Sequence, residues 1–137
     1  MHIRTMQSLV ERINREVEER SLLKHPFYEM WSRGQLSLDD LSSYSKEYFQ
    51  LVKTVPDLVQ NILDRMGDQG HDAMIRESLK EEKEHVELWV RFARSLGVPQ
   101  DELDSYRGFE GTRQAVEKLK RATSDSIEEA VAAMYAY

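Results

Sequence analysis

The chain has 137 residues, 32% of them charged, a net charge of −6 and no cysteine. That length allows one domain with a real core. The lack of cysteine removes disulfides, thiolate metal sites and a cysteine nucleophile, and the acidic balance, with Lys and Arg interleaved among Asp and Glu, argues against a nucleic-acid or anionic-membrane surface.

The N-terminus, MHIRTMQSLVERINREVEER, is amphipathic without an uninterrupted apolar run. It reads as neither signal peptide nor membrane span, and a cytoplasmic protein is the simplest expectation. Ile3, Met6, Leu9, Val10, Ile13 and Val17 predict a first helix that ends near His25-Pro26, because a residue before proline is pushed out of the α region. A short helix over 27–33 should end at Gly34. In SLDD, Ser37 can cap the next helix with Asp40 at the reciprocal position. Its expected apolar face is Leu38, Leu41, Tyr44, Tyr48, Leu51, Val52 and Val55. Pro56 should kink or divide that helix, and Leu58, Val59, Ile62, Leu63 and Met66 carry the apolar face on to the turn signal GDQG.

A long helix follows from about 71 to 96, with Gly97 and Pro99 as stop signals. The stretch from Pro99 to Thr112 reads as the longest loop, and a weaker helix runs on through Val116 and Leu119. Ser126 with Glu129 makes a capping box for the last helix, IEEAVAAMYAY, which is apolar on nearly all sides. Such a helix belongs inside a bundle, so the chain is expected to be the N-terminal portion of a longer protein or to need another chain as cover. No stretch alternates with period two. The expected class is all-α: one helical domain over 1–137, incomplete at its C-terminus.

One residue breaks the pattern of the long helix. Ile75, Leu79, Glu82, Val86, Trp89, Ala93 and Leu96 follow alternating steps of four and three, the stripe of a helix packed on other helices. Glu82 stands where a leucine is expected, and an ionised carboxylate there must find a cation, a donor or a proton. Glu82 and His85 form E-x-x-H, the pair by which helical-bundle carboxylate proteins aim two side chains at one metal. The plainer alternative is a solvated face on which Glu81 and Glu84 pair with Lys80 and Lys83. The other histidines carry less: His25 reads as a surface or capping residue, His71 opens a helix in a polar turn, and His2 lies at the terminus. Tyr28, Tyr44 and Tyr48 fall on predicted apolar faces, with Trp31 close to the first. Such residues serve either as core or, beside an oxidising metal, as electron donors or substrates, and pattern does not separate the two.

Three blocks, HPFYEMWSRGQLSLDDLSSYSKEYFQLVKTVP, ESLKEEKEHVELWVRFARSLGV and SDSIEEAVAAMYAY, resemble in order and spacing the haem-oxygenase-like TenA, PqqC and CADD group, most nearly its CADD-like members. The resemblance implies a bundle of about seven helices, of which this chain would supply the first four or five. It implies a non-haem dinuclear iron oxygenase, Fe/Fe or Fe/Mn, that uses O2 to make p-aminobenzoate for folate synthesis from one of its own tyrosines. Residue by residue, Glu82 and His85 match metal ligands, Tyr28 matches the tyrosine thought to be consumed, and Tyr44 and Tyr48 match aromatic positions near the site. Homodimerisation is a further expectation of the resemblance.

Two departures stand out. In the relatives the Glu and His are about two helical turns apart, and removing about one turn keeps both on one face. The remaining ligands would lie beyond Tyr137, so this chain alone is expected to be inactive. Two alternatives stay open. One is a PqqC-like or TenA-like enzyme acting on a small heterocycle, although TenA-type thiaminase chemistry needs a cysteine. The other is a non-catalytic helical interaction domain.

Overall fold

A computed structural model describes residues 2–67, 70 and 72–137, with side chains from residue 7 onward. Among the described residues all regular structure is helical: α1 His2–Glu19, a single 3-10 turn Leu22–Lys24, α2 Pro26–Ser32, α3 Leu38–Val52, α4 Val55–Met66, α5 Asp72–Ser95, α6 Gln100–Ser105, α7 Glu110–Asp125 and α8 Ile127–Ala136. The chain therefore supplies more helices than the four or five expected. None of them is long and apolar enough to cross a membrane.

The residues group into two compact units, one comprising the chain up to Leu36 with Tyr135–Tyr137, the other Ser37–Met134. In the first, α1 stops at Glu19, before the expected His25-Pro26 boundary. His25 caps α2: its Nδ1 accepts the Phe27 N–H at 3.2 Å, and Pro26 takes the first helical position, where its missing N–H costs nothing. Gly34, at φ 65°, ends the element in the left-handed conformation that glycine adopts freely. The expected apolar face of α1 stays largely open, with Leu9, Val10 and Val17 exposed. The side chains of Ile3 and Met6 lie outside the described residues, as do the side chain of His2 and the whole of His71.

The second unit holds the core. At the start of α3 the Ser37 hydroxyl accepts the Asp40 N–H while the Asp40 carboxylate accepts the Ser37 N–H, closing the predicted capping box. Pro56 divides the chain as expected: α3 ends at Val52 and α4 begins with Pro56 in its first turn. The buried face of α3 is a correction to the sequence reading. Ser45 and Phe49, absent from the expected face, are buried beside Val52, which belongs to it; Leu41, Tyr44, Tyr48 and Leu51 are only half-buried, and Leu38 is exposed. Serine is too polar to mark a core face by pattern, yet the Ser45 hydroxyl donates to the Ser42 carbonyl at 2.7 Å and enters the core satisfied.

Helix α5 packs along α3 and α4, and its stripe matches the prediction at every position from Ile75 to Leu96. Two core clusters meet it. Toward its N-terminus Ile75 and Leu79 pack with Val55, Val59 and Leu63 of α4 and with Met134 of α8. Toward its C-terminus Val86, Trp89, Val90 and Ala93 pack with Phe49 of α3, Val98 and Leu103. The segment expected to be the longest loop contains α6 instead, whose Leu103 is fully buried (0% exposed). Six residues are too few to show a helical period.

Candidate functional site

Glu82 falls on the stripe of α5 between the two clusters, with Leu79 packed in one and Val86 in the other. Its side chain is 29% exposed, whereas His85, one turn on, is 57% exposed. His85 Nδ1 lies 3.2 Å from Glu82 Oε2, a hydrogen bond when Nδ1 carries the proton. The i, i+3 spacing brings the carboxylate and the imidazole side by side.

The donor chemistry suits a metal in part. A carboxylate oxygen and an imidazole nitrogen this close can converge on one cation, and iron and manganese accept both donor types. The pair fits as two donors of a larger set: among the described residues no group of three or more His, Asp or Glu side chains gathers so as to hold an ion.

One turn beyond His85 on the same helix, Trp89 opens an aromatic cluster. Its ring centroid lies 5.0 Å from that of Tyr48, 5.7 Å from Tyr44 and 5.2 Å from Phe92. Tyr44 and Tyr48, successive turns of α3, stack on each other at 5.4 Å. The Trp89 indole N–H donates to the Ser45 carbonyl at 2.7 Å, which fixes the register of α5 on α3. Two of the three sequence-selected tyrosines thus meet on the helix that carries Glu82 and His85. Tyr28 belongs to the first unit, where it is half-buried, edge-on to Phe27 and stacked on Trp31 at 6.5 Å.

A second polar cluster escaped the sequence reading. Glu47, on α3 between Tyr44 and Tyr48, accepts the Tyr106 hydroxyl and the Phe109 N–H, both at 2.7 Å. Burial pushes the Glu47 carboxyl up, but hydrogen bonds from Thr112, Tyr106 and the Phe109 amide, with the Arg113 charge, outweigh it and hold it below its ordinary value. The bond to Glu47 is the main cause that pushes the Tyr106 phenol up to about 12, with burial and the carboxylate charge adding to it. Gly108, at φ 73°, lets the chain pass this close: a Cβ there would sit 3.2 Å from Glu47 Oε1. The partners are about 60 residues apart in sequence, so no local motif announces the cluster.

A family model described as TENA/THI-4/PQQC matches residues 11–137. The chain is 30% identical over 135 residues to a 4-aminobenzoate synthase of Chlamydia muridarum, an alignment covering 95% of this chain and 57% of that protein. It is 32% identical over 120 residues to the protein of that name from Chlamydia pneumoniae, covering 85% and 54% respectively. The corresponding figures for the Nitrosomonas europaea protein of that name are 29% over 101 residues, 64% and 41%. The chain spans about half the length of these relatives.

Proposed function

From the premise that the chain belongs to the TENA/THI-4/PQQC family, which its match over residues 11–137 establishes, we propose that it forms part of an oxygen-dependent enzyme that makes 4-aminobenzoate, in which Glu82 and His85 are two ligands of an iron centre. The observation that carries this reading is the 3.2 Å approach of Glu82 and His85 on the packed stripe of α5. A leucine would serve packing better there, and the carboxylate is matched to an imidazole, a pair that a metal could bridge.

Iron held there would supply the activation of O2. The chain's own residues do the remaining work. Glu82, held between two apolar clusters, keeps its oxygen aimed along the helix. His85, more exposed, presents its ring where solvent and small molecules reach it. Tyr44 and Tyr48 place oxidisable phenols one helix away, and Tyr28 is the tyrosine we assign to oxidation in the whole protein. Two ligands are fewer than an iron centre needs, so stable ligation and turnover are both assigned to the whole protein, to which this chain contributes Glu82 and His85.

The test is iron content. The whole protein, purified without chelator and treated with Fe(II), should retain iron after gel filtration, and Glu82→Ala and His85→Ala in it should each lower that iron content to background. Equal retention by all three proteins would remove these residues from the site.

A further inference from the structure

A groove runs between α4 and α5, wholly within the second unit, and neither Glu82 nor His85 lines it. Its volume is about 510 Å3, inside the range of about 300–1,000 Å3 that small-molecule sites occupy. Leu63 and Leu79 give it an apolar side, and Arg76, Lys80 and Lys83, on successive turns of α5, give it a cationic one. We propose that this groove binds a small aromatic monocarboxylate, with the ring on the two leucines and the carboxylate on Lys80 and Lys83.

Three features lead to this. The first is that both ammonium groups are available. Along α5, Arg76 pairs with Asp72 at 3.7 Å and His85 with Glu82 at 3.2 Å. The pairs expected of Lys80 and Lys83 with Glu81 and Glu84 are not made, and among the described residues neither lysine has another partner. Each lysine does have a glutamate four residues on, Glu84 and Glu87. On a helix, however, a lysine placed N-terminal to its glutamate is the weaker order. A carboxylate brought by a ligand therefore meets little competition.

The second is that the groove is only weakly positive. Asp72 engages Arg76, and Glu84 and Glu87 line the groove along with the lysines. Such a site accepts one carboxylate and repels a phosphate dianion, which would face both glutamates. The third is the shape of the apolar side. Leu63, half-buried, and Leu79, buried, pack in the same core cluster, so their positions are fixed. A flat ring covers them with little loss of freedom, whereas a flexible aliphatic chain must be ordered to lie there.

The probe is benzoate, titrated into the whole protein carrying isotope-labelled leucine methyl groups and followed by nuclear magnetic resonance. Ring-current shifts should appear at the methyls of Leu63 and Leu79 and saturate. Lys80→Gln with Lys83→Gln should weaken this binding about tenfold. Both lysines are exposed, so the fold tolerates the change. Benzamide, which keeps the ring and lacks the charge, should bind the parent no better than benzoate binds the variant. Acetate, which has the charge and no ring, should be as weak, and inorganic phosphate should not displace benzoate. Absence of shifts at Leu63 and Leu79, or equal affinity in the double lysine variant, overturns the site. Equal affinity for benzamide or for acetate, or displacement by phosphate, overturns the ligand class and the proposal with it. Iron content plays no part in this readout, so the groove and the iron reading stand or fall separately.

Discussion

Glu82 shows how much a single position can carry. Its neighbours on the stripe, Leu79 and Val86, each belong to a core cluster, so a leucine at 82 would join the two. Burying most of a leucine there is worth about 1 kcal/mol, less than the full value because the site is part exposed. Glu82→Leu should therefore raise the stability of the chain against urea by about that amount, and on the proposed reading the same change in the whole protein should abolish its iron retention. A Glu82→Leu chain no more stable than the parent would mean that the bond to His85 contributes as much as the missing contact. This position was legible in the sequence because α5 is long and its period unbroken. His25 was legible as a cap for a similar reason: the His-Pro step fixes where α2 begins.

At the scale of elements, legibility followed length and the fate of polar side chains. The capping box at Ser37 and Asp40 could be read from four residues because every bond in it is local. The rotation of α3 could not, since Ser45, within it, and Thr54, just beyond its end, are buried by bonding to the α3 backbone and so occupy core positions that a polarity pattern assigns to solvent. Helix α6 is the clearest miss. It begins after Pro99 in extended conformation with Asp101 and Glu102 in its first turn, where acidic residues favour the helix dipole. It is held by Leu103, which lies in one cluster with Phe49, Ala93 and Val98, and by the ion pair of Glu102 with Lys46 on α3 at 2.9 Å. A six-residue helix has little stability of its own, so α6 exists because Leu103 is buried. Leu103→Ala should destabilise the chain by about 3 kcal/mol and expose the backbone amides of 100–105 to hydrogen exchange. A loss under about 1 kcal/mol would show that the cavity collapses and that Leu103 is not the anchor.

Across the molecule, connections between distant segments rest on a few charged groups, and these set its response to acid. Arg65 of α4 donates to the carbonyls of Thr123 and Ser124 at the end of α7, where a cation also complements the helix dipole. Glu47 of α3 gathers Tyr106, Phe109 and Thr112 at the start of that same helix. The two ends of α7 are thus tied to two different helices by one guanidinium and one carboxylate. Only the carboxylate titrates in the acid range. Because the folded state holds the Glu47 carboxyl below its ordinary 4.5, the unfolded chain binds the proton more readily. The stabilisation is therefore fully present above that value and is lost as pH falls through the lower folded one. Asp40, lowered mainly by the Ser37 backbone bond, and Glu110, lowered mainly by its bond from Arg113, act in the same direction. Tyr106, raised to about 12, works at the other extreme: its contribution is complete below 10 and fades as pH rises toward 12. Glu47→Gln keeps the shape of the side chain but loses a charged acceptor, so it should cost about 2 kcal/mol at neutral pH. It should also flatten the fall in stability below pH 4.5 and return the Tyr106 phenol toward 10. Urea unfolding of both proteins from pH 7 down to 3, with ultraviolet titration of tyrosine at high pH, reads both ends of the same contact. Parallel acid profiles for the two proteins would place the acid sensitivity in Asp40, Glu110 and the other surface carboxylates, leaving Glu47 as a hydrogen-bond acceptor whose charge is not needed.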